Sequence, residues 1–179
     1  MCKKHLNVIP ALLISCVFLL YAVKETSSSN AGKGAAARTE KIYDGDTIGA
    51  VVDKRFEKIR LLGIDAPEME QRPWGGKAKE CIEDLLRASA LKVSLEYDLE
   101  RRDKYGRILA YVWTQDGKML NEELLKKGCA VLFTVPPNVK YVGRLRSAQK
   151  TARDLKAGIW VENGLQGRPY DFRKEHPRR

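Results

Sequence analysis

The stretch Ile59-Arg60-Leu61-Leu62-Gly63-Ile64-Asp65-Ala66-Pro67-Glu68 begins as a core strand and ends as something else. Ile59, Leu61, Leu62 and Ile64 supply the apolar run of a buried strand over residues 56–64. Arg60 interrupts that run. On an alternating strand it points away from Ile59 and Leu61, so it is either a solvated residue or one aimed at a site. Asp65 and Glu68 follow at once, and Pro67 between them fixes the chain direction and biases Ala66 toward an extended backbone. Two hard oxygen ligands close together suit Ca²⁺ or Mg²⁺, and a neighbouring carboxylate can take a proton from water.

The flanking sequence supplies a framework for that strand. Strands are expected at residues 40–43 and 47–52, with Asp53-Lys54-Arg55 as the turn into 56–64. Beyond a Pro- and Gly-containing loop at 67–76, Ala78, Ile82, Leu85 and Leu86 mark one face of a helix. Alternation predicts strands at 92–97 and 107–113, with an Asp116-Gly117 turn after them. Asn121 is expected to cap a short helix that ends at Gly128, and a third helix is expected over 142–156, closed by Gly158. Five strands with three interspersed helices predict an α+β fold with a mainly β core, a small closed barrel with packed helices.

Composition limits the chemistry. The 179 residues carry 33 basic and 23 acidic side chains, a net charge of +10 that favours a polyanionic partner such as nucleic acid or an anionic membrane. The two histidines, His5 and His176, lie near the termini, which excludes a histidine-based site in the folded part. Of four cysteines, Cys81 and Cys129 fall in that part. No pair has metal-ligand spacing, and two buried free thiols are expected rather than a disulfide.

The chain divides into four parts. In residues 1–23, Lys3 and Lys4 precede the apolar run 6–23, the layout of an export signal or membrane anchor. An uncleaved anchor ranks first, a cleaved signal second, and a lipoprotein carrying lipid on Cys16 third. Each places the domain outside the cytoplasm, in the cell envelope or secreted. Residues 24–37 read as a flexible linker, 38–160 as the folded domain, and 161–179 as a basic, irregular extension.

Two further clusters are ambiguous taken singly. Tyr43-Asp44-Gly45-Asp46-Thr47 is either an ordinary Asp-Gly turn or a turn that directs the Asp46 carboxylate into a site. Arg101-Arg102-Asp103-Lys104-Tyr105-Gly106-Arg107 is either a solvated loop or a phosphate site made of four cations and a phenol.

In order, DGDT (44–47), RLLGIDAPE (60–68), DKYGR (103–107), NEELLKKGCA (121–130) and ARDLKAGIW (152–160) resemble the staphylococcal nuclease, or thermonuclease, family. The resemblance implies a five-stranded OB-fold barrel with three helices and Ca²⁺-dependent hydrolysis of DNA and RNA by a monomer. It implies that Asp46 and Asp65 are the cation's carboxylates and that Ala66, often threonine in the family, offers its backbone carbonyl. Glu68 matches the general base, Arg60 and Arg107 the catalytic arginines, and Lys104 and Tyr105 residues near a terminal phosphate. One departure stands out. Residues 131–138, VLFTVPPN, lack the tyrosines the family often has there, and Phe133 is expected to stack on a base instead. The competing readings are a non-catalytic nucleic-acid-binding OB module and a basic surface protein that docks on anionic lipid or polymer.

Overall fold

A computed structural model of the chain describes residues 34–177. The first three strands are β1 (Ala35–Ile42), β2 (Thr47–Val52) and β3 (Arg55–Leu61), followed by a two-residue β4 (Ile64–Asp65). Helix α1 (Trp74–Ala88) comes next, then β5 (Lys92–Glu96) and β6 (Ile108–Thr114). After these come α2 (Leu120–Lys126), β7 (Val131–Leu132), α3 (Val142–Asp154) and α4 (Pro169–Glu175). A 3-10 turn, Gly158–Trp160, separates the last two helices. The closed barrel runs β1-β2-β3-β6-β5, and β4 pairs with β7 in a separate two-stranded sheet.

The expected strand 56–64 is therefore broken. Leu62 and Gly63 turn the chain out of the barrel so that Ile64–Asp65 pairs antiparallel with Val131–Leu132. The break rests on glycine. Gly63 sits at φ +75, and a Cβ there would meet Leu145 Cδ1 at 2.3 Å. β3 itself pairs with β2 on one side and parallel with β6 on the other, placing Arg60 across from Thr47 and beside Leu109. Ile59 and Leu61 are fully buried, so Arg60 does point out of the core from a central strand.

The helices cover this barrel. Ala78, Ile82 and Leu86 are buried at i, i+4 and i+8, the face the sequence predicts for α1. Asn121 does not cap α2, because Met119 holds that position. Its buried side chain instead accepts from Val112 N at 2.9 Å and donates to Leu62 O at 2.8 Å, tying α2 to β6 and to the turn after β3. Arg144 Nε donates to Glu122 at 2.8 Å and joins α3 to α2. Burial alone would push the Glu122 carboxyl up, but the Arg144 and Lys126 partners hold it below its usual range.

Three further expectations need correction. β1 begins at Ala35, so the last residues of the expected linker 24–37 belong to the barrel. Cys81 and Cys129 are not free thiols. They form a disulfide with Cα atoms 6.5 Å apart, linking α1 to the segment after α2. A separation of 48 residues hides such a pairing from the sequence. The region after Trp160 is not wholly irregular either, because residues 169–175 form α4, with Pro169 at its start, Asp171 in its first turn, and Arg173 and Lys174 in its last. The apolar run 6–23 lies outside the described residues. Among those described, no helix is long and apolar enough to cross a membrane.

Replacing both Cys81 and Cys129 by alanine is expected to cost about 2–4 kcal/mol of stability in urea unfolding, since the bridge closes a long loop. An unchanged midpoint, or two titratable thiols in the folded oxidised protein, would contradict the pairing. Asn121→Ala leaves a buried N–H and a buried carbonyl without their partner and is expected to cost about 2–4 kcal/mol. A loss below roughly 0.5 kcal/mol would remove Asn121 from that structural role.

Candidate functional site

The turn before β2, the strand β3 and the short β4 deliver three side chains to one place. Asp46 leaves the 43–47 turn, where its N–H donates to Asp44 Oδ1 at 3.1 Å. Its carboxylate is fixed on both oxygens, with Thr47 Oγ1 donating to Oδ1 at 2.9 Å and Ala66 N donating to Oδ2 at 2.8 Å. Arg60 then bridges the two aspartates, with Nε 3.0 Å from Asp46 Oδ1 and Nη2 3.1 Å from Asp65 Oδ1. The Asp65 side chain is fully buried. Its position on β4 follows from the Gly63 turn, so the residue that breaks the strand also aims the carboxylate.

Glu68 sits one turn further along. Its backbone N–H donates to Gln71 Oε1 at 3.0 Å, and the Gln71 N–H returns to Glu68 O at 2.9 Å. This closed loop packs against the first turn of α1. Gly75 makes that approach possible, since a Cβ there would lie 2.1 Å from Glu68 O and 2.6 Å from Met69 Cα. Gly76, by contrast, faces open space. The Glu68 carboxylate is joined to Asp65 by a residue from the far end of the chain. Arg173 on α4 places Nη1 2.7 Å from Glu68 Oε1 and Nη2 2.9 Å from Asp65 Oδ2.

Burial is the main force on Asp65 and Asp44. It raises the Asp65 carboxyl above its usual range, against the pull of Arg173 and Arg60, and the Asp46 charge adds to the rise. Asp44 is raised for the same first reason, burial, with Asp46 again contributing. Acids pushed together and away from water favour a positive charge beside them. All the donors are hard oxygens, and Asp46 and Asp65 converge on one guanidinium. Among the described residues no three His, Cys, Asp or Glu side chains group as a metal cage. Asp46 and Asp65 nonetheless bring hard carboxylate oxygens together, a donor type that suits a hard divalent ion.

The 101–107 loop, which leads into β6 beside β3, adds further lining to the cleft. Asp103 accepts from Tyr105 N at 2.9 Å and Arg107 N at 3.0 Å, and Arg107 Nε adds a 2.7 Å pair. Burial works against it, yet these donors hold the Asp103 carboxyl below its usual range. The four expected cations of this loop divide. Arg102 is bound bidentately by Glu57, and Arg101 lies over the Tyr97 ring. Lys104 is exposed and lies over the Tyr105 ring. Arg107 alone of the four lines the cleft with Asp46, Arg60, Glu68 and Tyr105, which enclose about 970 Å³ with their neighbours. Phe133 also lines it, stacked on Tyr170 at 5.5 Å rather than left open.

A family model described as staphylococcal nuclease homologue matches residues 58–162. Over 143 residues the chain is 39% identical to the thermonuclease of Staphylococcus hyicus, covering 76% of this chain and 82% of that one. The thermonuclease of Staphylococcus intermedius is 39% identical over 138 residues, 74% of this chain and 80% of that protein. Endonuclease YncB of Bacillus subtilis (strain 168) is 36% identical over 144 residues, 76% and 67% of the two chains. The chain belongs to the staphylococcal nuclease family. It is a nuclease, a hydrolase of nucleic acids, on an OB-fold barrel of the α+β class.

In this nuclease the structure gathers Asp46, Asp65, Arg60, Glu68 and Arg107 around one cleft and places Ala66 N on Asp46. Lys104 and Tyr105 stand on the outer loop, Tyr105 largely exposed. Two residues of the site go beyond the sequence reading. Asp44 reads as a turn residue, yet the alternation Asp-Gly-Asp places it on the same turn as Asp46 and it lines the cleft. Arg173 reads as one cation of the basic tail, and its place beside Glu68, 105 residues away in sequence, follows only from the docking of α4.

Gly75→Ala is expected to displace the Glu68 backbone and lower nuclease turnover by about tenfold or more, because small misplacements of a reacting group are costly. Gly76→Ala, with free space, is expected to stay within about twofold of the parent. Equal effects of the two substitutions would show that the Glu68 loop does not depend on the close approach.

Proposed function

We propose that this nuclease hydrolyses phosphodiester bonds of DNA and RNA with Ca²⁺ as cofactor. The observation that carries the reading is the convergence of Asp46 and Asp65 on the Arg60 guanidinium, with Glu68 and Arg107 in the same cleft. Asp46, Asp65 and the Ala66 carbonyl would hold the cation. Once bound, it would neutralise charge on the non-bridging phosphate oxygens.

The chain's own residues divide the remaining work. Arg60 on β3 and Arg107 just before the paired strand β6 both line the cleft, where two guanidiniums would suit two oxygens of one phosphate. Charge building on those oxygens in the phosphorane-like transition state would then meet two guanidiniums drawn from their aspartate partners. Glu68 takes the proton from the attacking water, and its hydrogen-bonded loop holds the carboxylate still while it does so. Arg107, oriented by Asp103, supports the leaving oxygen. Tyr105 and Lys104 meet an adjacent phosphate from the outer loop. Phe133 lines the cleft with Tyr170 stacked on it, and a base would stack there in place of Tyr170.

The proposal extends to location and state: an exported monomer, held at the membrane by the segment before residue 24 where that segment is retained. The order of Lys3, Lys4 and the apolar run 6–23 supports this.

Degradation of single-stranded DNA and of RNA is expected with Ca²⁺ and is expected to stop on chelation. Glu68→Gln is expected to lower turnover by more than about a hundredfold with little change in folding. Turnover within a few-fold of the parent would take the base role away from Glu68. Hydrolysis that is indifferent to chelator would remove the cation.

A further inference from the structure

Helix α4 lies beyond residue 162, where the family match ends, yet it reaches into the centre of the acid cluster. Its hold on the body is narrow. Pro169 is buried, Tyr170 stacks on Phe133, and Gln71 Nε2 donates to Gly167 O at 3.4 Å. The strongest tie is Arg173, which bridges Asp65 Oδ2 and Glu68 Oε1. Arg173 is 38% exposed while Asp65 is fully buried and Glu68 13% exposed, so a solvent-reachable cation closes over two sheltered carboxylates.

These two carboxylates are the ones the reaction needs open, one for the cation and one for water. A guanidinium on the second oxygen of Asp65 and a divalent ion on the same carboxylate repel each other at short range. One of the two positive side groups at Asp65 must give way. Arg60 is fixed by its strand, where buried Ile59 and Leu61 flank it. Arg173 sits on a terminal helix of seven residues, which has little stability apart from its docking.

We infer that α4 is an intramolecular latch that competes with the divalent cation: Arg173 caps Asp65 and Glu68 when the cation is scarce and leaves when Asp65 takes it. The inference rests on the calcium reading above. Release takes the Arg173 guanidinium off the Glu68 carboxylate and moves Phe172, Arg173 and His176, which line the cleft. Because the coupling is reciprocal, the factor by which the cation weakens α4 docking is the factor by which docking weakens cation binding.

The test uses the full chain, with Ca²⁺ titrated by calorimetry into the parent, Arg173→Gln and Lys174→Gln. Both substitutions remove one positive charge from α4, but Lys174 lies over the Tyr170 ring and its residue is exposed. Arg173→Gln is expected to bind Ca²⁺ about fivefold tighter or more, and Lys174→Gln to stay within about twofold of the parent. In the parent, saturating Ca²⁺ is expected to speed hydrogen exchange at the Phe172 and His176 amides, which bond to Arg168 O and Phe172 O in the docked helix. Equal affinity in the parent and Arg173→Gln overturns the latch and leaves the calcium reading standing. An equal gain in both variants also overturns it, because the effect is then one of general charge. So does α4 protection that Ca²⁺ leaves unchanged. No Ca²⁺ binding by any of the three proteins overturns both the latch and the calcium reading.

Discussion

The structure depends on one guanidinium between two buried carboxylates. Charges taken out of water are costly unless paired and hydrogen-bonded, and removing one partner is worse than never burying the pair. Asp46 and Asp65 meet that requirement through Arg60, with Thr47 and the Ala66 amide completing Asp46. Three features of the fold serve this contact. The β2–β3 register sets Arg60 opposite Thr47, the turn before β2 presents Asp46, and the Gly63 turn swings Asp65 back from the barrel. A rigid frame is thereby built around a polar centre that packing alone would not tolerate.

That arrangement explains which parts of the fold the sequence discloses. Ile59 and Leu61 alternate with Arg60, so β3 and its outward arginine can be read directly. The face Ala78, Ile82, Leu86 of α1 is legible for the same reason, a local period. The order of the five motifs adds the family and, with it, the places of Asp46, Asp65, Glu68 and Arg107. What stays hidden is set by contacts between distant segments. Asn121 has the composition of a cap but a tertiary role, because Leu62 and Val112 are the groups that need its amide. Cys81 and Cys129 become neighbours only after α1 and α2 pack together. The apolar run through Ile64 hides a turn, since hydrophobicity does not distinguish one buried strand from two.

Arg173 is the sharpest case of this limit. In the sequence, residues 168–175 form a short, strongly charged tail of the kind usually solvated. In the fold the same arginine bridges Glu68 and the fully buried Asp65, whose carboxyl burial raises above its usual range. The local pattern describes the tail's surface, and the site decides its partner.

Charge around the cleft gives a reason for the chemistry to need a cation. The chain as a whole is +10, which draws polyanions toward it. The cleft is different, with Asp44, Asp46, Glu68, Glu70, Glu100 and Asp103 facing Lys58, Arg60, Arg107 and Arg173. Six carboxylates against four cations is a poor place for a phosphate, and Asp65 behind them adds another negative charge. Arg107 is moreover already paired with Asp103, and Arg60 with two aspartates. A phosphodiester entering this cleft must therefore draw guanidiniums away from carboxylates, and those carboxylates need a replacement. A divalent ion held, as proposed, by Asp46 and Asp65 would supply it, and cation and substrate would then favour each other's binding. On that reading the acids that look hostile to a nucleic acid would make its binding conditional on the ion.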